Sequence, residues 1–140
     1  MKPRISVITL GVSDLEKAVE FYRVGLGLPT DGIVGKEFEH GAVAFFDLTS
    51  GLKLAVWSHD DIAHDTGMPK TAPSPTAFTI GHNVSRKDEV DEVMDQARTA
   101  GATIIKSARD TFYGGYAGYF QDPDGHLWEI VWNPAFVPPD

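Results

Sequence analysis

The stretch VITLGVSDLEKAVEFY, residues 7–22, lies without a gap over TIGHNVSRKDEVDEVM, residues 79–94. In both copies a β-branched strand runs into a serine, Ser13 or Ser85, that is predicted to cap the start of a helix. Glu16 follows Ser13 by three residues, which is the spacing of a capping box. Apolar residues then recur at helical spacing in both copies. An internal repeat of this kind predicts two copies of one supersecondary unit.

Three strand-like runs follow each predicted helix. They lie around 32–34 and at 41–48 and 51–58 in the first copy, and at 102–108, 113–120 and 126–133 in the second. KLAVWS, residues 53–58, aligns with WEIVWN, residues 128–133, so that Leu54 lies over Glu129 and Trp57 over Trp132. This pattern predicts an α+β fold of two βαβββ modules, residues 1–66 and 76–140. Residues 67–75, which include proline and glycine, are predicted to link the two modules.

Composition narrows the classes of partner. The chain has 140 residues, a formal net charge of −8 and no cysteine. Disulfides and a thiol nucleophile are therefore excluded, and no basic stripe is present that could neutralise the phosphates of a nucleic acid or a membrane surface. The apolar stretch near the start is too short for a secretory signal or a membrane span. A cytoplasmic location is predicted.

The motifs VSDLEKAVEFY, residues 12–22, and DPDGHLWEI, residues 122–130, make the chain resemble the vicinal oxygen chelate superfamily. That superfamily includes glyoxalase I, extradiol dioxygenases and bleomycin resistance proteins. The resemblance covers essentially the whole chain. It implies that the two modules together form one domain, a glyoxalase-like curved sheet around a cavity, and that the protein is a homodimer.

The resemblance also implies up to four metal-ligand positions. The residues at those positions here are Val7, Leu54, Thr79 and Glu129, of which only Glu129 is a strong ligand. A valine and a leucine cannot coordinate a metal ion, and one carboxylate does not hold a divalent ion against water. We therefore expect that no residue serves as a metal ligand, and we expect no divalent metal or other cofactor.

Alternation along the last strand puts Trp128, Ile130 and Trp132 on one face and Glu129 on the other, toward the cavity. Glu129 is the candidate catalytic residue, as a general base, but it also fits a ligand-binding acceptor or a structural acid that bonds to a neighbouring Tyr, Thr or Arg. The same logic predicts a mostly apolar set of ligand-binding residues that face the cavity: Val7, Thr9, Leu54, Val56 and Thr79.

Aromatic residues alternate with glycines in RDTFYGGYAGYF, residues 109–120. This segment predicts either an adaptable aromatic wall over the ligand or ordinary loop and strand packing with glycines at bulges. The candidate ligand-binding residues of this wall are Phe112, Tyr113, Tyr116 and Tyr119.

Three hypotheses for function follow from the residues and the resemblance. The first is metal-independent binding of a small organic ligand, as in the similar bleomycin resistance proteins. The second is a glyoxalase-like lyase or isomerase that uses Glu129 as base or an atypical metal site. The third is a structural role in which the site has decayed. Whether the protein is an enzyme stays open at this point.

Overall fold

The structure is a computed structural model that describes residues 1–139. The chain divides into two units, Met1–Ala72 and a second unit that begins at Pro73. The boundary between them falls within residues 67–75, the predicted linker.

The first unit contains a four-stranded sheet with two helices. Its elements are β1 (Val7–Val12), α1 (Leu15–Glu20), β2 (Thr30–Val34), β3 (Val43–Asp47), β4 (Lys53–Ser58) and α2 (His59–Thr66). A π-helical turn, Phe21–Gly25, extends α1. The strand order is β1-β4-β3-β2, with β1 parallel to β4 and the other pairs antiparallel.

The second unit repeats this plan. Its elements are β5 (Thr79–Asn83), α3 (Lys87–Ala100), β6 (Thr103–Asp110), β7 (Tyr116–Gln121) and β8 (Leu127–Trp132). The strand order is β5-β8-β7-β6, with β5 parallel to β8 and the other pairs antiparallel. The prediction of an α+β fold with two βαβββ modules is confirmed.

The helix starts differ from the predicted ones by one residue. Asp14, not Ser13, caps α1, since its carboxylate accepts a hydrogen bond of 3.0 Å from the Lys17 N–H. Arg86 precedes α3, and the Glu89 carboxylate accepts a bond of 3.4 Å from the Ser85 N–H. Glu89 therefore satisfies a backbone donor one residue before the cap, and it does not complete a capping box with Ser85.

Each sheet buries one face against its helices. In the first unit the ring of Tyr22 lies 5.8 Å from the ring of Phe46 on β3. In the second unit α3 packs on β7 and β8. A Cβ atom at Gly118 of β7 would lie 3.0 Å from the Met94 methyl group, so the absence of a side chain there lets α3 approach the sheet.

The predicted DPDG turn, residues 122–125, joins β7 to β8. Gly125 adopts a φ of 91°, and its N–H donates to the Asp122 carbonyl at 3.0 Å. The buried Asp122 carboxylate accepts bonds from the N–H groups of Asp124 and His126 at 3.0 and 2.8 Å. These bonds fix the register in which Glu129 lies beside Tyr119.

Candidate functional site

The two faces of the second sheet differ in what covers them. Ile130 lies beside Gly118, under Met94, and Tyr116 lies beside Trp132. The Tyr116 hydroxyl donates a hydrogen bond of 3.0 Å to Asp91 of α3, so this face is the helix side. Alternation then puts Glu129 on the opposite side, as predicted. We call that side the Glu129 face.

Glu129 occupies the middle of a row of residues across the Glu129 face. Tyr119 lies beside it on β7, and Gly81 lies beside it on β5. The Tyr119 hydroxyl donates a hydrogen bond of 2.6 Å to Glu129 Oε2. Within residues 1–139, no other hydrogen bond or ion pair is recorded for Glu129. Its Oε1 atom therefore keeps its capacity to accept a bond from another molecule.

The electrostatics of this pair define the role of Tyr119. The hydrogen bond to Glu129 raises the pKa of Tyr119 to about 12, with smaller contributions from burial, from the charge of Glu129 and from Tyr113. At neutral pH the phenol is therefore protonated. Tyr119 serves as a hydrogen-bond donor that orients the carboxylate, and it is not a base.

Space is open next to Glu129. A Cβ atom at Gly81 would meet no atom within 4 Å. Thr79, two residues earlier on β5, lies on the same face and is exposed. Its hydroxyl donates a bond of 3.2 Å to the Pro75 carbonyl, and that bond orients the hydroxyl group toward the backbone.

Two cations that were not predicted lie on the Glu129 face. Lys106 of β6 lies beside Tyr119, and Arg109 lies beside Ala117. Both are exposed, and neither has a salt bridge or hydrogen bond recorded with the described residues. If side chains alternated regularly along β6 from Thr103, Lys106 would lie on the helix side. The pairing of β6 with β7 contains register shifts, which move Lys106 to the Glu129 face.

The strand pairing in the first sheet shows that the predicted alignment of the two modules is wrong. Ala55 of β4 lies between Thr9 of β1 and Phe45 of β3, just as Glu129 lies between Gly81 and Tyr119. Ala55, and not Leu54, is therefore the equivalent of Glu129. The alignment by tryptophans was wrong by one residue, and a shift of one residue exchanges the two faces of a strand.

The prediction that Leu54 and Val56 share a face with Val7 and Thr9 is wrong for the same reason. Leu54 and Val56 are 1% and 0% exposed and lie on the side of Phe46, in the core of the first unit. Val7 and Thr9 lie on the opposite side and are exposed. A leucine and a valine in the core contribute to stability through burial of apolar surface.

The predicted aromatic wall is divided between the two sides of the sheet. Tyr119 lies on the Glu129 face, whereas Tyr116 lies on the helix side, so the prediction of one wall that includes Tyr116 is wrong. Tyr113 lies in the β6–β7 loop, close enough to Tyr119 to influence its pKa. Phe112 is fully exposed in this loop, and its ring lies edge-on to Tyr113 with 5.2 Å between centroids.

The residues at the family's metal positions do not fit a metal ion. With Ala55 in place of Leu54, the set contains two hydrocarbon side chains, one threonine and the single carboxylate of Glu129. A divalent ion in a protein takes at least three or four N, O or S ligands. Across residues 1–139, no three His, Asp or Glu side chains form a group that could hold a metal.

No helix within the described part of the chain is long and apolar enough to span a bilayer.

Comparisons with known proteins agree with this fold. The profile of the Glyoxalase/Bleomycin resistance protein/Dioxygenase superfamily matches residues 4–130. The chain is 28% identical over 130 residues to the glutathione transferase FosA of Serratia marcescens, across 93% of this chain and 81% of that protein. It is also 28% identical over 128 residues to the metallothiol transferase FosB of Lysinibacillus sphaericus, across 90% and 79%. The crystal structure of a glyoxalase-related enzyme from Fulvimarina pelagi superposes with a TM-score of 0.81 at 34% identity, across 94% of this chain and 89% of that chain.

Proposed function

The chain belongs to the glyoxalase/bleomycin resistance protein/dioxygenase superfamily, and we propose that it binds a small organic molecule on the Glu129 face without a metal ion. The observation that carries this proposal is the Tyr119–Glu129 pair, which stands beside the open space at Gly81. The donor set at the family's metal positions, with one carboxylate, gives a second reason to expect a metal-free mode of binding.

Glu129 is the polar anchor of the proposed site. Its Oε2 atom is held by Tyr119, and its Oε1 atom accepts a hydrogen bond from an N–H or O–H group of the ligand. Because the pKa of Tyr119 is about 12, the phenol stays protonated across the physiological pH range. The Glu129 carboxylate therefore keeps the same orientation over that range. A preoriented acceptor of this kind lowers the entropy lost on binding.

The charges on the same face narrow the class of ligand. Lys106 and Arg109 add two positive charges to the face that carries the negative charge of Glu129. A ligand with both a hydrogen-bond donor and an anionic group is complementary to that arrangement. The local charges therefore favour a ligand that carries both signs.

An enzymatic role is the second candidate, and the same geometry favours it. A carboxylate with one oxygen held and the other open is also suited to remove a proton from a bound molecule. In this alternative the protein is a glyoxalase-like lyase or isomerase with Glu129 as base. Two relatives of this chain carry transferase names, glutathione transferase FosA and metallothiol transferase FosB. At the family's metal positions in this chain, Glu129 is the single strong metal ligand.

Ligand-dependent thermal stabilisation tests the proposal. A panel of small metabolites and antibiotics that carry amine or hydroxyl donors together with carboxylate or phosphonate groups is screened against the wild type. For each compound that stabilises the wild type, Glu129→Gln is expected to weaken binding roughly ten- to hundredfold, the usual effect of losing a charged hydrogen bond. Asp91→Asn is the matched control, because it removes an acid that bonds to a tyrosine on the helix side.

The outcomes separate the hypotheses. Equal loss of binding in Glu129→Gln and Asp91→Asn, or no stabilisation by any compound, contradicts the proposed site and supports a structural role. If Glu129→Gln still binds a compound that the wild type converts but no longer converts it, as followed by NMR of the compound, Glu129 is the base of an enzyme. We also propose that the protein is a homodimer, which light scattering after size exclusion tests directly.

A further inference from the structure

His40 has an unusual backbone conformation in the first unit. Its φ is 60°, in the left-handed region that side chains other than glycine rarely adopt. Ser50 is the one other non-glycine residue with positive φ among residues 1–139. Strained residues of this kind are concentrated at sites where the position of a side chain matters.

The loop around His40 is built to hold this conformation. Gly35 and Gly41 approach so closely that a Cβ at Gly35 would lie 2.3 Å from the Gly41 carbonyl oxygen. The His40 carbonyl accepts a hydrogen bond of 3.1 Å from Trp57 Nε1 on β4. The backbone on both sides of the imidazole is therefore fixed by contacts that do not involve the ring.

The ring itself is oriented by an acid on α2. His40 Nδ1 lies 2.7 Å from Asp61 Oδ1, and the Asp61 side chain is 18% exposed. Hydrogen bonds from His40 and then from Ser58 lower the pKa of Asp61, so it is a carboxylate at neutral pH and can only accept. Nδ1 therefore carries a hydrogen, and in the neutral form of the ring the lone pair is on Nε2.

The His40 side chain is 32% exposed, and Nε2 lies 3.5 Å from Glu39 Oε1. The Glu39 side chain is 90% exposed, so Nε2 is open to a reactant when that side chain turns into the solvent. The ring of His64 stacks on His40 with 3.8 Å between centroids and 20° between planes. The stack and the Asp61 bond together fix the plane of the imidazole.

From this geometry we infer that His40 and Asp61 form a second reactive site, in which His40 Nε2 acts as a nucleophilic base toward small activated acyl compounds. A carboxylate that fixes the tautomer of a histidine, with the other ring nitrogen open, is the arrangement that activates imidazole in acyl transfer. His40 and Asp61 both belong to the first unit, whereas the Glu129 face belongs to the second.

The chemistry requires no metal or cofactor. Nε2 attacks the carbonyl carbon of an aryl ester, the bond between that carbon and the phenolic oxygen breaks, and the phenolate leaves with the electron pair. The acyl-imidazolium loses its Nδ1 proton through Asp61 to water. Water then attacks the acyl-imidazole, and the products are the carboxylic acid and the restored imidazole.

The probe is p-nitrophenyl acetate, with release of p-nitrophenolate followed by absorbance. The wild type is expected to acylate at His40, as identified by mass spectrometry of peptides from rapidly quenched protein. His40→Asn is expected to lose this reaction and keep the fold, because asparagine tolerates a left-handed backbone and still offers a donor to Asp61. Asp61→Asn is expected to slow acylation about tenfold or more through loss of the required tautomer.

His82→Gln, in the second unit, is the control and is expected to leave the rate unchanged. Melting curves for each variant establish that the fold is intact. The inference is overturned if the acetyl group maps mainly to another of the five histidines. It is also overturned if a folded Asp61→Asn variant reacts at the wild-type rate, because Asp61 then holds the loop without activating the ring. The mapping on the wild type decides the question even if His40→Asn does not fold.

Discussion

Replacement of Glu129 with glutamine should lower the pKa of Tyr119. The bond of 2.6 Å to the carboxylate is the largest cause of the Tyr119 pKa of about 12, against an ordinary value of 10.0. A neutral amide removes the charge, so the Tyr119 pKa should fall toward 10. Two pH units correspond to ~2.7 kcal/mol. Because the pair is only partly buried, screening by water reduces its effect on stability to about 1 kcal/mol.

The direction of the pH dependence follows from proton binding. Between pH 10 and 12 the folded protein keeps the Tyr119 proton that the unfolded chain has lost. The stability that this bond contributes is therefore fully present below pH 10 and is lost as pH rises through 12. In Glu129→Gln the folded and unfolded pKa values of Tyr119 should nearly coincide, so this loss of stability between pH 10 and 12 should largely disappear.

Alkaline titration of tyrosinate absorbance measures the effect. The difference between wild type and Tyr119→Phe isolates Tyr119 from the other three tyrosines. The same difference is then taken in the Glu129→Gln background. A Tyr119 that titrates near 10 in the wild type, or near 12 after Glu129→Gln, would show that the pair does not exist in solution.

Three further predictions concern space, metal and packing. Gly81→Val should fold with an unchanged or slightly raised melting temperature, since a side chain there meets open space and valine favours strands, but it should abolish ligand-dependent stabilisation. Elemental analysis of purified protein should find well under one divalent metal ion per chain, and a stoichiometric metal would contradict the reasoning from the donor set. Leu54→Ala should lower the free energy of unfolding in urea by about 2–5 kcal/mol, whereas Val7→Ala should change it by less than about 1 kcal/mol. Similar losses would contradict the assignment of these two residues to opposite faces.

The fold was predictable because several independent signals agreed. The gapless repeat, the helical spacing and the DPDG turn each specify local structure, and the structure has the two predicted modules. The helix starts were placed to within one residue. Asp14 competed with Ser13 for the same cap position, and either side chain can accept a backbone hydrogen bond.

The site was less predictable because it depends on strand register. Trp57 and Trp132 look equivalent in sequence, yet the pairing with β1 and β5 makes Ala55 the equivalent of Glu129. A gap of one residue cannot be recognised from a short apolar run, and it reverses every facing assignment on the strand. The facing of Glu129 itself was correct, because the alternation of β8 with two tryptophans and an isoleucine is unambiguous.

Other parts of the site carried no signal in the sequence. On β6, no glycine or proline marks the shifts in the β6–β7 pairing that bring Lys106 to the Glu129 face, and Gly118 of β7 lies opposite only the second shift. His40 and Asp61 are 21 residues apart, and only the folded loop brings them to 2.7 Å. Contacts between distant residues of this kind follow from tertiary packing and not from local patterns.

The parallel pairings β1–β4 and β5–β8 have a consequence for the order of folding. Each joins the first and last strands of a module, so that Val7 lies beside Lys53 and Thr79 beside Leu127. Pairs so far apart in sequence form only after a long loop closes, whereas the β3–β4 and β7–β8 hairpins close across a few residues. We therefore expect the hairpins to form early and the parallel pairs to form last in each module. The position of Gly81 beside Glu129 would then be among the last contacts made as the chain folds.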